Sequence, residues 1–268
     1  MRPARGSGSG RLRLRVMSFN IRFDTELDAP DRVWRWRKKA AAELIRRHDP
    51  HVVGVQEALA HQLGDLLQAL PAHRHVGRAR EAGGRGEFVP ILFDHRRLEV
   101  VQTGDFWLSQ TPDTEGSLGW DAPNPRICTW AVLRDLTGGR SFLVLNTHLD
   151  RWGEQARAES ATMLVDKMAE FPTLPCIVTA DLNSGEGDRP FSILEAAMLR
   201  DSYRDLFEGP VEGTVHHYTE SSGAKIDFVL CDPSWRVLSA AVIQDRPFDR
   251  WPSDHFPVMA HLELIGDR

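Results

Sequence analysis

SFLVLNTHLD, residues 141–150, and CIVTADLN, residues 176–183, decide the fold of this chain. Each opens with an unbroken apolar run of strand length, the pattern of a strand buried on both faces. Each closes on a polar cluster, Asn146-Thr147-His148 in the first and Asp181-Leu182-Asn183 in the second. Between them Glu154–Glu170 carries Ala161, Leu164, Val165 and Met168 on one helical stripe, and Pro172 and Pro175 close it. Strand, helix and strand in this order predict an α/β unit. The same design stands upstream. RLRLRVMSFN, residues 11–20, ends at Asn20; a helix over Trp36–His48 stops at Pro50; HVVGVQ, residues 51–56, ends at Glu57. The chain therefore reads as two related halves that deliver polar groups from strand C-termini, where α/β folds bind their ligands.

The remaining elements fit this frame. A helix is expected over Leu59–Leu70, before Pro71, and a short one over Phe191–Met198. Strands are expected over Phe88–Phe93, Glu99–Leu108, Ile127–Leu133, Lys225–Leu230 and Val258–Leu264. The loop Ser109–Arg126 is long enough to suggest function. No linker separates the halves, so residues 11–268 read as one domain. The basic, small-residue start MRPARGSGSG lacks an apolar segment and reads as a flexible tail, residues 1–10, rather than a signal peptide.

Composition narrows the function. The 268 residues carry 33 Lys+Arg against 38 Asp+Glu, a formal charge of −5, with 41% hydrophobic and 26% charged residues. These values exclude a disordered chain, a coiled coil and a collagen-like repeat. The acidic balance argues against indiscriminate binding to long DNA, which needs many neutralised phosphates. No apolar run approaches the ~20 residues of a membrane span. Cys128, Cys176 and Cys231 are far apart with no CxxC pair, so a zinc staple is not expected. Sparse cysteines and no signal suggest a reducing, cytoplasmic setting.

Five polar clusters follow apolar strands: Ser18-Phe19-Asn20, Gln56-Glu57, Asn146-Thr147-His148, Asp181-Leu182-Asn183 and Ser253-Asp254-His255. A sixth acid, Asp227, interrupts the apolar strand KIDFVL. One such cluster is ordinarily a cap or a turn, but six converge on a site. Carboxylate and amide oxygens with few imidazoles suit a hard cation, Mg²⁺ or Mn²⁺, rather than Zn²⁺.

Taken together, MSFNIR, GVQEA, NTHLD, ADLN, KIDFVL and SDHFPV, in this order from Leu12 to about Leu264, resemble the endonuclease/exonuclease/phosphatase (DNase I-like) superfamily. GEFVPILF, FWLSQTPD, GWDAPNPRICTW and THLDRWGEQAR look like segments of a group of small bacterial members without a settled substrate. The resemblance implies a four-layer α/β sandwich, two mixed β-sheets face to face with helices outside. It also implies roles. Glu57 would be the main metal ligand, with Asn20 and Asp254 completing or supporting the site. Asp181 would orient or deprotonate the attacking water, and Asn183 would contact the phosphoryl oxygen. His255, oriented by Asp227, would sit on the phosphate or transfer a proton, and His148, partnered by Glu87, would lie near the leaving group or the phosphate. Arg126 falls at a phosphate-binding position. The motif GDxN reads here with Ala180 in place of Gly, a change of one methyl group.

Further candidates lie around this set. Arg32, Arg35, Arg37, Lys38 and Lys39 with Trp34 and Trp36 are either an exposed helix face or a rim gripping an anion; the W-x-x-R-K arrangement of the look-alikes singles out Arg37. His216, Trp107, Trp120, Trp251 and Asp150 are candidates for the substrate pocket. His73 and His75 read as a solvated pair, and the C-x5-R spacing of Cys128 and Arg134 lacks the glycine-rich cradle of a thiol phosphatase.

The expected activity is a metal-dependent phosphoesterase using direct water attack, with a phosphodiester favoured because two His–carboxylate pairs suit a poor alcohol leaving group. The alternatives are a phosphomonoesterase on a sugar or inositol phosphate, a nuclease on RNA or DNA, and a non-catalytic phosphate-binding module. The partner is then a phosphorylated small molecule or a short nucleic acid, with no membrane and no obligate protein partner.

Overall fold

The structure, a computed structural model, describes residues 11–210 and 212–266; the expected tail over residues 1–10 lies outside them. In chain order the strands are β1 (Arg13–Asn20), β2 (Val52–Gln56), β3 (His73–Val76), β4 (Ala79–Glu81), β5 (Arg85–Phe88), β6 (Ile91–Asp94), β7 (Leu98–Trp107), β8 (Ile127–Asp135), β9 (Ser141–His148), β10 (Cys176–Asp181), β11 (Arg200–Asp201), β12 (Asp227–Cys231), β13 (Trp235–Val242) and β14 (Val258–Leu264). The α-helices are α1 (Trp34–His48), α2 (Ala60–Ala69), α3 (Glu154–Ala169) and α4 (Arg189–Ala196).

Two six-stranded sheets form, in the orders β13-β14-β1-β2-β6-β3 and β11-β12-β10-β9-β8-β7, and β4 pairs with β5 as a separate ribbon. β1 runs parallel to β2, and β9 parallel to β10, while their other neighbours are antiparallel. The two parallel pairs are the two strand–helix–strand units of the sequence.

The alternation of side chains along these strands builds four layers. Leu14 and Val16 of β1, Val52 of β2, Phe142 and Val144 of β9, Ile177 of β10 and Val229 of β12 pack between the sheets. The opposite face of the first sheet, with Met17, Phe19, Val53 and Val55, is covered by Leu44 and Ile45 of α1 and Leu63 and Leu66 of α2. The opposite face of the second, with Leu143, Leu145, Val178 and Ala180, is covered by Ala161 and Leu164 of α3 and Leu194 of α4. The molecule is the four-layer α/β sandwich, and among the described residues no helix is long and apolar enough to cross a membrane.

Toward the C-termini of the parallel strands the space between the sheets turns polar. Gln56 Nε2 donates to Asn146 Oδ1 at 2.7 Å, Thr179 Oγ1 donates to the same oxygen at 3.0 Å, and Asn146 Nδ2 donates to the carbonyls of Val55 and Pro90 at 2.8 and 3.0 Å. The sheets come close here because β2 carries Gly54, where an added Cβ would lie 1.9 Å from Thr179 Oγ1 and 2.6 Å from Asn146 Oδ1.

Several boundaries differ from the sequence reading. α1 starts at Trp34, whose N–H donates to the carboxylate of the distant Asp24 at 3.0 Å. The run Phe88–Phe93 divides at Val89-Pro90 into β5 and β6, because Pro90 has no N–H for the ladder. His73 lies in edge strand β3 and is buried, its Nε2 on the carbonyl of Pro50 at 3.0 Å. β13, with alternate exposed residues, was not expected at all.

Candidate active site

The polar layer continues into a cleft of about 590 Å³ at the end of the sandwich. Strand register gathers its floor. Asp181 is level with His148 on the parallel strand β9 and with Asp227 on the antiparallel strand β12. From the facing sheet β1 supplies Asn20, level with Gln56 of β2, and Glu57 follows. Glu57 and Asn183 turn out of their strands with φ of 63° and 46°, a left-handed conformation uncommon outside glycine and concentrated at functional sites.

Asn20 joins the two sheets. Its Nδ2 donates to Glu57 Oε1 at 3.0 Å and to Asp181 Oδ2 at 2.9 Å, and its Oδ1 accepts the N–H of Arg22 at 2.9 Å. An amide whose oxygen is taken by a backbone donor and whose nitrogen faces two carboxylates is an orienting group. Asn20 thereby supports the two carboxylates of the site, the second of its two expected roles. The other Glu57 oxygen accepts the N–H of Phe23 at 3.0 Å.

His255 Nδ1 donates to Asp227 Oδ2 at 2.8 Å, the expected pair. Burial disfavours the imidazolium, but the charges of Asp227, Asp181 and Asp254 override it and hold His255 well above its ordinary range. Asp181 accepts the N–H of Asn183 at 2.9 Å; burial, then the neighbouring Asp227, raises its carboxyl above the ordinary range. His148 is driven the other way, first by burial and then by Arg126 and Arg80, so its ring is neutral. Its Nε2 accepts from Asn183 Nδ2 at 2.9 Å, which puts the proton on Nδ1.

The second expected His–carboxylate pair is not formed. Glu87 bonds Arg80 Nη1 at 2.8 Å, and among the described residues no bond joins it to His148. Burial and the nearby Glu57 push the Glu87 carboxyl upward. Arg126 lines the cleft, its Nε donating to Asp150 Oδ2 at 3.2 Å. Asp150 is therefore a support for Arg126 and is 1% exposed.

Glu57, Glu87, Arg126, His148, Asp181, Asn183, Asp254 and His255 thus line one cleft, with Asn20, Asp227 and Asp150 behind them. Three other candidates fall elsewhere. Arg37, 1% exposed, donates to the carbonyls of Ile21 at 2.7 Å and of Arg22 and Pro252 at 3.0 Å, and also to that of Arg32. It ties the segment after Asn20 to the segment before Asp254 and is no free anion grip. His216 is buried between the rings of Phe256, at 4.1 Å, and Trp251, at 4.4 Å, and packs behind the site. Trp251 borders a separate hollow with Arg37 and Tyr218.

The cleft also contains Arg22, Phe23, Arg80, Asn124, Arg151, Trp152 and His217, which sequence reasoning passed over. Arg22 stands two residues after Asn20 and could have been found from that spacing. The others come from loops without a periodic signal.

The donor set fits a divalent cation. Asp181, Asp227 and His255 bring ligand-type atoms within 4.8 Å of one another, and the buried Asp227 Oδ1 has no hydrogen-bond partner among the described residues. Glu57 and Asp254 add two further carboxylates to the lining of the cleft.

Known proteins share this fold. An endonuclease/exonuclease/phosphatase family protein from Bacteroides thetaiotaomicron is 34% identical over 96% of this chain and all of its own, with a TM-score of 0.90. A second, from Bacteroides vulgatus, is 32% identical over 95% of this chain and 100% of its own, also at 0.90. A mannosyl-6-phosphatase from Bacteroides thetaiotaomicron is 34% identical over 93% of this chain and 99% of its own, with a TM-score of 0.85. Among curated proteins none matches the sequence significantly. The endonuclease/exonuclease/phosphatase family model spans residues 17–255, from the strand that bears Asn20 to His255, and the chain belongs to that family.

Proposed function

We propose that this protein is a divalent-metal-dependent phosphoesterase that hydrolyses the phosphomonoester of a phosphorylated sugar by direct attack of water. The observation that carries this reading is the composition of the cleft: carboxylates and imidazoles on the floor, and Arg22, Arg80, Arg126 and Arg151 on the walls. A phosphomonoester is close to a dianion, and guanidinium groups bind its oxygens with paired N–H donors. The 34% identity to a mannosyl-6-phosphatase supports a sugar as the esterified alcohol.

Mg²⁺ or Mn²⁺ held by Glu57 and Asp254 would offset charge on the phosphoryl oxygens and acidify a water. Asp181 accepts the water's proton, a task its raised affinity for protons suits. Asn20 and the Asn183 N–H hold that carboxylate in place. His255, kept cationic by three acids, stabilises the phosphoryl oxygens or protonates the leaving oxygen. Arg126, set by Asp150, binds the phosphate, and the neutral His148 is held beside it by Asn183.

The expectation of a diester rested on two His–carboxylate pairs. One is formed, and Glu87 serves Arg80 instead, which moves the reading to the monoester. The test is hydrolysis of p-nitrophenyl phosphate and bis-p-nitrophenyl phosphate side by side, with Mg²⁺, Mn²⁺ or EDTA and with Asp181→Asn as the blank. Metal-dependent cleavage favouring the monoester is expected, with kcat in the Asp181→Asn protein lower by about 10²–10⁴-fold. Preference for the diester restores the phosphodiesterase and nuclease readings. Equal turnover by Asp181→Asn refutes the site.

A further inference from the structure

The loop from Asp150 to Gly153, between β9 and α3, is clamped on every side. Asp150 Oδ1 accepts the N–H groups of Trp152 and Gly153, both at 2.8 Å, while its other oxygen holds Arg126. Arg157 Nη1 donates to the carbonyls of Asp150 and Arg151 at 3.0 and 2.9 Å. The Asp121 carboxylate accepts the N–H groups of Gln155 and Ala156 at 3.2 and 2.7 Å, and a Cβ on Gly153 would meet it at 2.5 Å. The residue held by all this is Trp152, which is 70% exposed and lines the wall of the cleft. Fixing a chain segment costs conformational entropy, and burial of a large ring normally offsets it. Here the ring is not buried; the cost is offset by capping α3, whose first N–H groups the Asp121 carboxylate accepts, and the same contacts hold Trp152 on the cleft wall.

We propose that Trp152 is a stacking platform on which the apolar face of a substrate's sugar ring rests while its phosphate meets Arg126 and His148; this rests on the phosphomonoesterase reading. Arg151 lies over the indole, 5.0 Å from the ring centre, and Trp152 is still 70% exposed. Phe23, also in the cleft, has Arg22 over its ring at 4.5 Å and is half-buried. A single well-exposed aromatic suits a single ring, not a row of stacked bases. Asn124 and His217, on the same cleft, offer hydrogen bonds to ring hydroxyls. The Asp150 carboxylate fixes the phosphate-binding arginine and the platform together, and so sets the span from phosphate to ring.

Phosphate release from mannose 6-phosphate and from the acyclic glycerol 3-phosphate, measured with Mg²⁺ or Mn²⁺, tests the assignment. Trp152→Ala should raise KM for the ring ester at least ten-fold more than KM for the acyclic ester, with the loss in KM rather than kcat. Trp152→Phe should recover more than half of it. An equal change for both esters, or none for the ring ester, overturns the platform and leaves the phosphoesterase intact. Failure of the unaltered protein to cleave any monoester overturns the monoesterase reading, and the sugar platform with it.

Discussion

Replacing Arg37 by Met should cost this protein about 3–5 kcal/mol of stability, the range for breaking a buried charged hydrogen-bonding group. The guanidinium donates to four backbone carbonyls, of Ile21, Arg22, Arg32 and Pro252, and hydrogen bonds from a charged donor contribute roughly 1.5–3 kcal/mol each. The gross loss, roughly 6–12 kcal/mol, is offset by no longer burying a cation, which costs several kcal/mol and which already lowers the pKa of Arg37. Methionine also refills part of the space beside Trp34, whose ring lies 5.3 Å from the guanidinium. For a chain of this length about 2 °C of Tm accompanies each kcal/mol, so the melting temperature should fall by about 6–10 °C. Urea unfolding and thermal melting followed by circular dichroism read both quantities. Arg37→Lys should recover less than half, because one ammonium cannot span four acceptors. A loss under about 1 kcal/mol for Arg37→Met would refute the reasoning, because the four carbonyls would then find other partners at little cost.

Other outcomes follow from the same structure. His51 accepts the Arg15 N–H on Nδ1 at 3.0 Å, and burial, then Arg15 and Arg97, depress its pKa to about 4. A depressed pKa gives stability that is complete above the unfolded value of about 6.5 and is lost as pH falls toward the folded value; at pH 4.5 this amounts to about 2.5 kcal/mol. His51→Asn keeps the acceptor and does not titrate, so its urea midpoints should fall less between pH 7 and pH 4.5, and an identical fall in both proteins would contradict the assignment. Gly54→Ala should destabilise by about 1–3 kcal/mol through overpacking against Thr179, and Thr179→Ala in the same chain should return part of that in a thermal melt; additive losses would count against close approach of the sheets. Asp227→Asn should lower the pKa of His255, followed by NMR of the imidazole protons, because it removes the largest of the charges that together outweigh burial; an unshifted titration would remove Asp227 from its orienting role.

Much of the architecture was legible because apolar runs that stop at polar clusters mark buried strands entering a site. Asn20, Glu57, His148 and Asp181 were found this way; His255 precedes β14 rather than ending a strand, and the SDHFPV segment of the family resemblance marked it. The partner of Glu87 was not, because Arg80 stands in a ribbon, β4–β5, with neither alternation nor length to mark it. The family resemblance left Asn20 completing or supporting the metal site; the Arg22 N–H on its oxygen and the two carboxylates on its nitrogen show the donor role. Arg37 looked like surface because it sits in a basic run, and its burial depends on carbonyls from Ile21 and Pro252 at opposite ends of the chain. Strand β13 escaped because its exposed edge interleaves Arg236, Leu238 and Ser239 with the buried positions. Trp152 carries no periodic signal, and its exposure is a tertiary fact.

The hydrogen-bonded layer of Gln56, Asn146 and Thr179 acts as a key between the two sheets. Apolar surfaces slide over one another at little cost, whereas displacing one sheet by a residue pair would leave several buried amides unpaired, at roughly 1–3 kcal/mol apiece. The residues that meet at the cleft come from both sheets and from the loops that join their strands, and this key holds their alignment. Loss of activity on heating should therefore coincide with global melting, because the catalytic floor has no separate hinge about which to loosen first.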